Sequence, residues 1–228
     1  MSSRQLTFPL GHEVKFTAED FLPAPANEAA YRIVTAWPAW PARGLLLCGP
    51  HGSGKSHLAA IWAEQAGAAI WDADGIDQEM LENLAPDSRI AVENIDISGG
   101  SEDILFHFLN VVRERDLGAL LTASQQPNPA WPKLPDLASR LRQLPLAELG
   151  APDDALVRAV LVKLFHDRQL AVDAEVVDYV ARRMERSLGA ARDVVAALDE
   201  EALALGRRVT KPMAAAVLAR LAPETDAE

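Results

Sequence analysis

The chain of 228 residues holds one cysteine, two tyrosines and six phenylalanines, and no apolar run near the roughly 20 residues that a membrane span needs. A single thiol cannot close an internal disulfide. Cys48 lies in the apolar run Leu45-Leu46-Leu47-Cys48 and reads as core filler, so no redox or zinc chemistry is expected. The N-terminus lacks a basic flank followed by an apolar stretch of signal type, so a cytoplasmic protein without membrane contact is expected. Basic residues are also scarce: 22 Lys and Arg stand against 33 Asp and Glu, for a net charge of −11. Residues 1–150 carry 11 basic and 19 acidic side chains, net −8, and residues 151–228 carry 11 and 14, net −3. Phosphate contact needs a clustered basic face, and neither half offers one. The basic stretch Arg182-Arg183, with Arg186 and Arg192, reads as a solvated helix face, and no sequence-specific DNA binding by the chain alone is expected.

What is present suits a cored globular chain: 49% of the residues are apolar, and the length fits one ordinary domain plus a smaller one. Residues 1–12 read as an extended tail, since Pro9, Pro23 and Pro25 argue against a long early helix. A helix after Asn27 runs into Trp37-Pro38-Ala39-Trp40-Pro41, where the prolines stop it. Gly44 to Cys48 is then a continuous apolar run of strand length, the pattern of a strand covered on both faces. Beyond it the chain alternates. Helices are expected over 55–65, 78–84 and 102–115, and strands over 68–71, 89–93 and 119–123. Strands separated by helices mean a parallel, doubly wound α/β sheet. A short helix near Leu137–Leu141 and a last apolar stretch at Leu144–Leu146 complete a domain over 13–150. From residue 151 to 228 the periodicity is helical only, with stripes at Leu156, Val157, Val160, Leu161, Leu164, Phe165 and at Val176, Val177, Val180, Ala181, Met184. Asp173 and Thr210 are candidate N-caps and Gly206 a candidate stop.

The turn after Cys48 carries the chemistry. Gly49-Pro50-His51-Gly52-Ser53-Gly54-Lys55-Ser56 fits the pattern G-x-x-x-x-G-K-[ST] between a buried strand and a helix start. Glycines let successive N–H groups point at phosphate oxygens, aided by the positive end of the following helix. Lys55 would reach the β and γ phosphates, and the Ser56 hydroxyl would ligate Mg²⁺. At the end of a neighbouring strand, Arg89-Ile90-Ala91-Val92-Glu93-Asn94 supplies Glu93 as the acid for Mg²⁺, directly or through water. Asn94 follows it, and an amide cannot take a proton from attacking water, so intrinsic hydrolysis should be slow. Asp96 is the alternative acid, three residues on and past the strand end. His51 and His57 read as bystanders to any proton transfer. Arg140 and Arg192 stand out as cations for a transferring phosphoryl group, or as surface ion-pair partners.

These residues together resemble a family. The loop followed by His57-Leu58, the lead-in Phe21-Leu22-Pro23-Ala24-Pro25-Ala26-Asn27, Ser139-Arg140-Leu141, and Gly189-Ala190-Ala191-Arg192-Asp193-Val194-Val195 look like the AAA+ core of the replication initiator DnaA, over roughly residues 13–222. DnaA carries a further DNA-binding helical domain after its lid, and Ala222 to Glu228 leaves no room for one. With Asn94 after the acid, that is the pattern of the Hda family of DnaA-homologous regulators. Gln5-Leu6-Thr7-Phe8-Pro9-Leu10 in turn resembles the short peptide by which replication proteins bind the β sliding clamp. In an extended segment Leu6, Phe8 and Leu10 project to one side and can enter an apolar cleft, while the Gln5 amide fixes register.

The resemblance implies a P-loop AAA+ parallel-sheet domain with a small all-α lid, ADP or ATP with Mg²⁺ as ligands, and DnaA and the clamp as partners. It implies that Gly49 to Ser56 with His57, Leu22 and Pro23 surround the nucleotide, that Arg192 contacts it from the lid, and that Arg140 is an arginine finger presented to a neighbour's nucleotide. Self-association through the nucleotide face is a further possibility of such relatives. Two departures stand out: Ser124-Gln125 replaces an acidic residue after the strand ending at Ala123, and Glu93 replaces Asp. The expected function is an adaptor that sits on the DNA-loaded clamp and stimulates ATP hydrolysis by DnaA, restraining initiation. A self-sufficient P-loop ATPase of the DnaC-like helicase-loader type, and an initiator variant binding DNA through the Arg182–Arg192 segment, are the alternatives.

Overall fold

In the computed structural model the described residues are 16–96 and 101–222, and they divide into a sheet unit, Phe16–Ala151, and a helical unit that begins at Pro152. The sheet unit is built on β1 (Gly44–Cys48), β2 (Ala69–Asp72), β3 (Arg89–Glu93), β4 (Gly118–Ala123) and β5 (Leu146–Glu148), all parallel in the order β2-β3-β4-β1-β5. Helix α1 (Glu28–Thr35) precedes β1, and between the strands run α2 (Lys55–Ala66), α3 (Gln78–Glu82), α4 (Glu102–Glu114) and α5 (Pro135–Gln143). This is the α/β class expected from strands that alternate with helices.

Alternation of side chains along the central strands assigns the layers. Leu46, Ile90, Val92 and Leu121 face one way, onto Leu105, Phe108 and Val112 of α4 and onto Leu137 and Leu141 of α5. Leu45, Leu47, Ala91 and Leu120 face the other way, onto Leu58 and Trp62 of α2, Val34 of α1, and Trp37 and Trp40. With β1 and β4 buried along their whole length, no polar residue interrupts either strand except Thr122. Thr122 is wholly buried, and hydrogen bonds satisfy it there. Its hydroxyl accepts the Asn94 N–H at 3.1 Å, while its carbonyl accepts the Ile95 N–H at 3.0 Å.

Most expected bounds shift by one or two residues, and two differences have a structural reason. The last strand is Leu146–Glu148, not Leu144–Leu146; the Leu46 N–H already bonds the Pro145 carbonyl, and pairing starts there. The edge strand β2 starts at Ala69 and is largely exposed, so its pattern is not that of a central strand.

The helical unit holds α6 (Asp154–Asp167), α7 (Ala174–Ala181), α8 (Leu188–Leu205) and α9 (Lys211–Leu221). Leu156, Val157, Leu161 and Phe165 of α6 are buried, as are Val176, Val177 and Val180 of α7. The Thr210 hydroxyl caps α9 by accepting the Met213 N–H, and Gly206 ends α8 with a left-handed φ of 58°. Asp173 sits at the N-cap position of α7 without a side-chain cap bond, whereas Asp153 and Ser187 do cap α6 and α8. The arginine-rich stretch is not one helix face: α7 stops at Ala181, Arg183 lies over the Tyr179 ring at 4.0 Å, and Arg186 pairs with Asp154 at 2.7 Å.

Candidate nucleotide site

The loop 49–54 leaves the C-terminal end of β1 in the centre of the sheet. Its first N–H, from Gly49, donates to the Ala123 carbonyl at the end of β4 at 3.1 Å. A Cβ at Gly49 would lie 2.8 Å from Leu149 Cβ, 2.8 Å from Ser53 Oγ and 2.9 Å from the Leu149 carbonyl, so only glycine fits. Gly52 and Gly54 take φ of 67° and 105°, and the chain turns through them into α2. Lys55 is buried, its ammonium donating to the Gly49 carbonyl at 2.7 Å and the Pro50 carbonyl at 3.0 Å. Burial pushes its pKa down, and Asp96, Cys48 and Glu93, in that order, work the other way. Ser56 and His51 are exposed.

Orphaned polar atoms test whether this cradle fits a nucleotide with its metal. Among the described residues, the buried side-chain atoms without a hydrogen-bond partner are Ser53 Oγ in the loop, Glu93 Oε1 at the end of β3, and Trp62 Nε1 in the core. A buried hydroxyl beside loop N–H groups suits a phosphate oxygen, and a buried carboxylate oxygen suits a divalent cation or its water. The residues fit the group. Ser56 and Glu93 are the oxygen donors that would hold Mg²⁺, and the loop N–H groups with Lys55 those that would hold phosphates.

The two acid-side residues beyond Glu93 diverge. Asn94, at φ 59°, donates from Nδ2 to Asp72 Oδ2 at 2.9 Å, toward the edge strand β2. Asp96 turns the other way and crosses the end of β4: its oxygens accept the Ser124 N–H at 3.0 and 2.9 Å and the Ser124 hydroxyl. Asp96 does lie past the strand end, yet its carboxylate is folded back beside the start of the phosphate loop. Burial, then the charges of Asp96 and Glu148, pushes the Cys48 thiol up to about 12, with Lys55 opposing.

The lead-in packs beside the first turn of α2. Asn27 is buried, its Oδ1 accepting the Ala24 N–H at 2.7 Å and its Nδ2 donating to the Leu22 carbonyl at 3.0 Å, so it fixes the turn that carries Leu22 and Pro23. Phe21 stacks on Tyr31 at 4.8 Å and meets the His57 ring edge-on at 5.4 Å. His57 Nε2 lies 2.8 Å from the Thr17 carbonyl, with Phe16 at 5.1 Å from the ring. The structure thus sets the lead-in that carries Leu22 and Pro23 beside His57, in the first turn of α2. Sequence reasoning missed the organising parts of Phe21 and Asn27, although both stand in the lead-in that carries the family resemblance.

Arg140 lies elsewhere in the sheet unit, on α5, whose buried residues Leu137, Ala138 and Leu141 pack toward α4. Its side chain is half-buried and makes no hydrogen bond or ion pair among the described residues. Arg192 belongs to the helical unit, a full turn inside α8 and not at its opening; burial lowers its pKa and Asp193 works the other way. Gln5, Leu6, Phe8, Pro9 and Leu10 lie outside the described residues.

Residues 154–218, the helical unit from its first helix, match the family model described as Hda, lid domain. The chromosomal replication initiator protein DnaA of Synechococcus sp. (strain JA-2-3B'a(2-13)) is 24% identical over 193 residues, which span 73% of this chain and 41% of that relative. The chain is thus similar to the Hda lid over its helical unit and to DnaA over most of its length, and its fold is that of an AAA+ domain. Domain III of the Thermotoga maritima replication initiation protein DnaA superposes on 91% of the chain and 97% of its own length, with a TM-score of 0.76 at 19% identity. A replication initiator DnaA bound to AMPPCP and single-stranded DNA gives a TM-score of 0.65 at 19% identity, covering 80% of this chain and 64% of that one. The chain therefore spans about two fifths, or 41%, of the curated relative's length, and has the AAA+ fold with a DnaA-like core and an Hda-type lid. No helix among the described residues is long and apolar enough to cross a membrane.

Proposed function

We propose that the chain is a nucleotide-bound AAA+ adaptor that sits on the DNA-loaded sliding clamp through Gln5 to Leu10 and stimulates ATP hydrolysis by DnaA, restraining replication initiation. The observation that carries it is at Asn94: the position after the Mg²⁺-side acid holds an amide, and that amide is tied to Asp72 at 2.9 Å. A phosphate cradle with orphaned donors and acceptors, yet with no acid at that position, suits a site that holds nucleotide and does not cycle quickly. ADP with Mg²⁺ then serves as a structural ligand that stabilises the folded chain in proportion to its binding. Lys55, Ser56, Glu93 and the loop hold it, and Leu22, Pro23 and His57 flank its base. Chemistry is left to the partner. Arg140, half-buried and without an ion pair among the described residues, is the guanidinium offered to DnaA's nucleotide, a contribution of about 10³ to 10⁵ in rate where such fingers operate.

The match of the lid to the Hda model and of the core to DnaA supports this reading over a helicase loader. The experiment is turnover of DnaA-bound ATP with and without this protein, in the presence and absence of clamp loaded on DNA. Stimulation that requires the loaded clamp, and that disappears when Gln5, Leu6 and Phe8 are replaced by alanine, is the expected result. Stimulation indifferent to the clamp would refute the adaptor role.

A further inference from the structure

We infer that Asp96, held in place by Ser124, sets the nucleotide preference of this site by disfavouring a triphosphate relative to a diphosphate. The inference rests on reading the loop as a nucleotide site, and it adds a specificity-determining residue to that site.

The geometry runs through three adjacent strands. The Asp96 carboxylate starts beyond the end of β3, crosses the end of β4, and accepts both the N–H and the hydroxyl of Ser124. Ser124 follows Ala123 directly, and the Ala123 carbonyl accepts the N–H of Gly49, the first residue of the phosphate loop. Gly49's own carbonyl in turn holds the Lys55 ammonium at 2.7 Å. A fixed negative charge therefore stands over the β4 end, two hydrogen bonds from the loop's first residue. The same charge favours the ammonium form of Lys55 and disfavours the thiolate of Cys48, ahead of Glu93 for the first and Glu148 for the second.

Two consequences follow for a phosphate chain in the cradle. A half-buried carboxylate close to Lys55 repels anionic phosphate through a medium less polar than water, and a triphosphate brings more negative charge than a diphosphate. The polar groups at the end of β4 are also already engaged. Ser124 spends its N–H and its hydroxyl on Asp96, so neither is offered to a terminal phosphate without breaking that pair. The pair is built to stay. An isosteric amide at 96 keeps one oxygen to accept the Ser124 N–H and hydroxyl while it gives up the second acceptor and the charge, which makes Asp96→Asn the conservative probe.

The experiment is equilibrium displacement of a fluorescent ADP from the full-length protein, by ADP and by AMPPCP, with Mg²⁺ present. Wild-type protein should bind ADP at least about tenfold more tightly than AMPPCP, and Asp96→Asn should narrow that ratio by about tenfold (roughly 1.4 kcal/mol), chiefly by tighter AMPPCP binding. Equal affinity of the wild type for the two nucleotides would overturn the inference, and this arm stands even if the variant fails to fold. So would equal shifts for both nucleotides in Asp96→Asn. Weaker Mg²⁺-dependent AMPPCP binding by the variant would also overturn it, because Asp96 would then be helping to hold the metal. Failure of the wild type to bind either nucleotide would remove the nucleotide reading itself, an outcome distinct from the others.

Discussion

Asn94 donates its side-chain amide to the Asp72 carboxylate at 2.9 Å, which pulls the residue after Glu93 toward the edge strand β2. Its backbone, at φ 59°, is held there by the hydrogen bond from its N–H to the buried Thr122 hydroxyl. Asparagine and aspartate both tolerate this left-handed backbone, so the position accepts an acid sterically. What changes is charge. Asn94→Asp would set two carboxylates where one amide–carboxylate bond stands, at a cost of about 1 kcal/mol, or a melting temperature about 2–4 °C lower. Combining it with Asp72→Asn re-forms the bond in the opposite sense and should recover the loss. Thermal melts of the two single variants and the double variant measure it; additive losses in the double would show the pair to be uncoupled.

Gly49 is fixed by contact and not by a positive φ. Its missing Cβ would press on Leu149 and Ser53 at 2.8 Å, and Leu149 is tied to β1 through its N–H to the Cys48 carbonyl. Gly49→Ala should destabilise the sheet unit by about 1–3 kcal/mol and weaken nucleotide binding together with it. A variant with unchanged melting and unchanged binding would contradict the packing described around the loop.

Much of this was legible in the sequence because the middles of β1, β3 and β4 are covered on both faces and read as apolar runs. Arg89–Glu93 appears with the bounds expected of it, and the loop lies between a strand and a helix as its spacing requires. The three-residue β5 carries too short a pattern to locate, and its pairing with β1 is a tertiary fact. The contacts of Asn94 and Asp96 were hidden for the same reason. One leans on β2 and the other on β4, and which strand lies on which side of β3 depends on the sheet order, not on any local spacing. Asp96 and Ser124 each stand out in the sequence, but 28 residues separate them and nothing local joins them.

Cys48 gives a pH-dependent test. Its ordinary value is 9.0 and burial in the fold raises it to about 12, so below about pH 9 the thiol is neutral in folded and unfolded chains alike. Between about 9 and 12 the unfolded chain alone gives up this proton, and stability falls as pH rises, by up to about 1.4 kcal/mol per pH unit from this group. Cys48→Ala should lower stability at pH 7 through lost packing yet flatten the decline above pH 9. The native thiol should also resist alkylation at pH 8. Equal alkaline slopes in denaturation curves of the two proteins would count against it.

Arg140 is the residue on which action in trans depends. Arg140→Ala removes a half-buried side chain that forms no ion pair among the described residues, so the fold should change by less than about 1 kcal/mol. Nucleotide affinity and clamp binding should remain, while stimulation of DnaA-bound ATP hydrolysis should fall by at least about tenfold. Full stimulation by the variant would move the finger assignment to another residue.

The most direct test of the account is the rate at which the purified chain, alone with Mg²⁺ and saturating ATP, releases phosphate. A site with an amide at 94, tied to Asp72, is expected to turn over far more slowly than about one per second, the lower end of ordinary enzymes, while still binding nucleotide tightly. Turnover of several per second without any partner would contradict it.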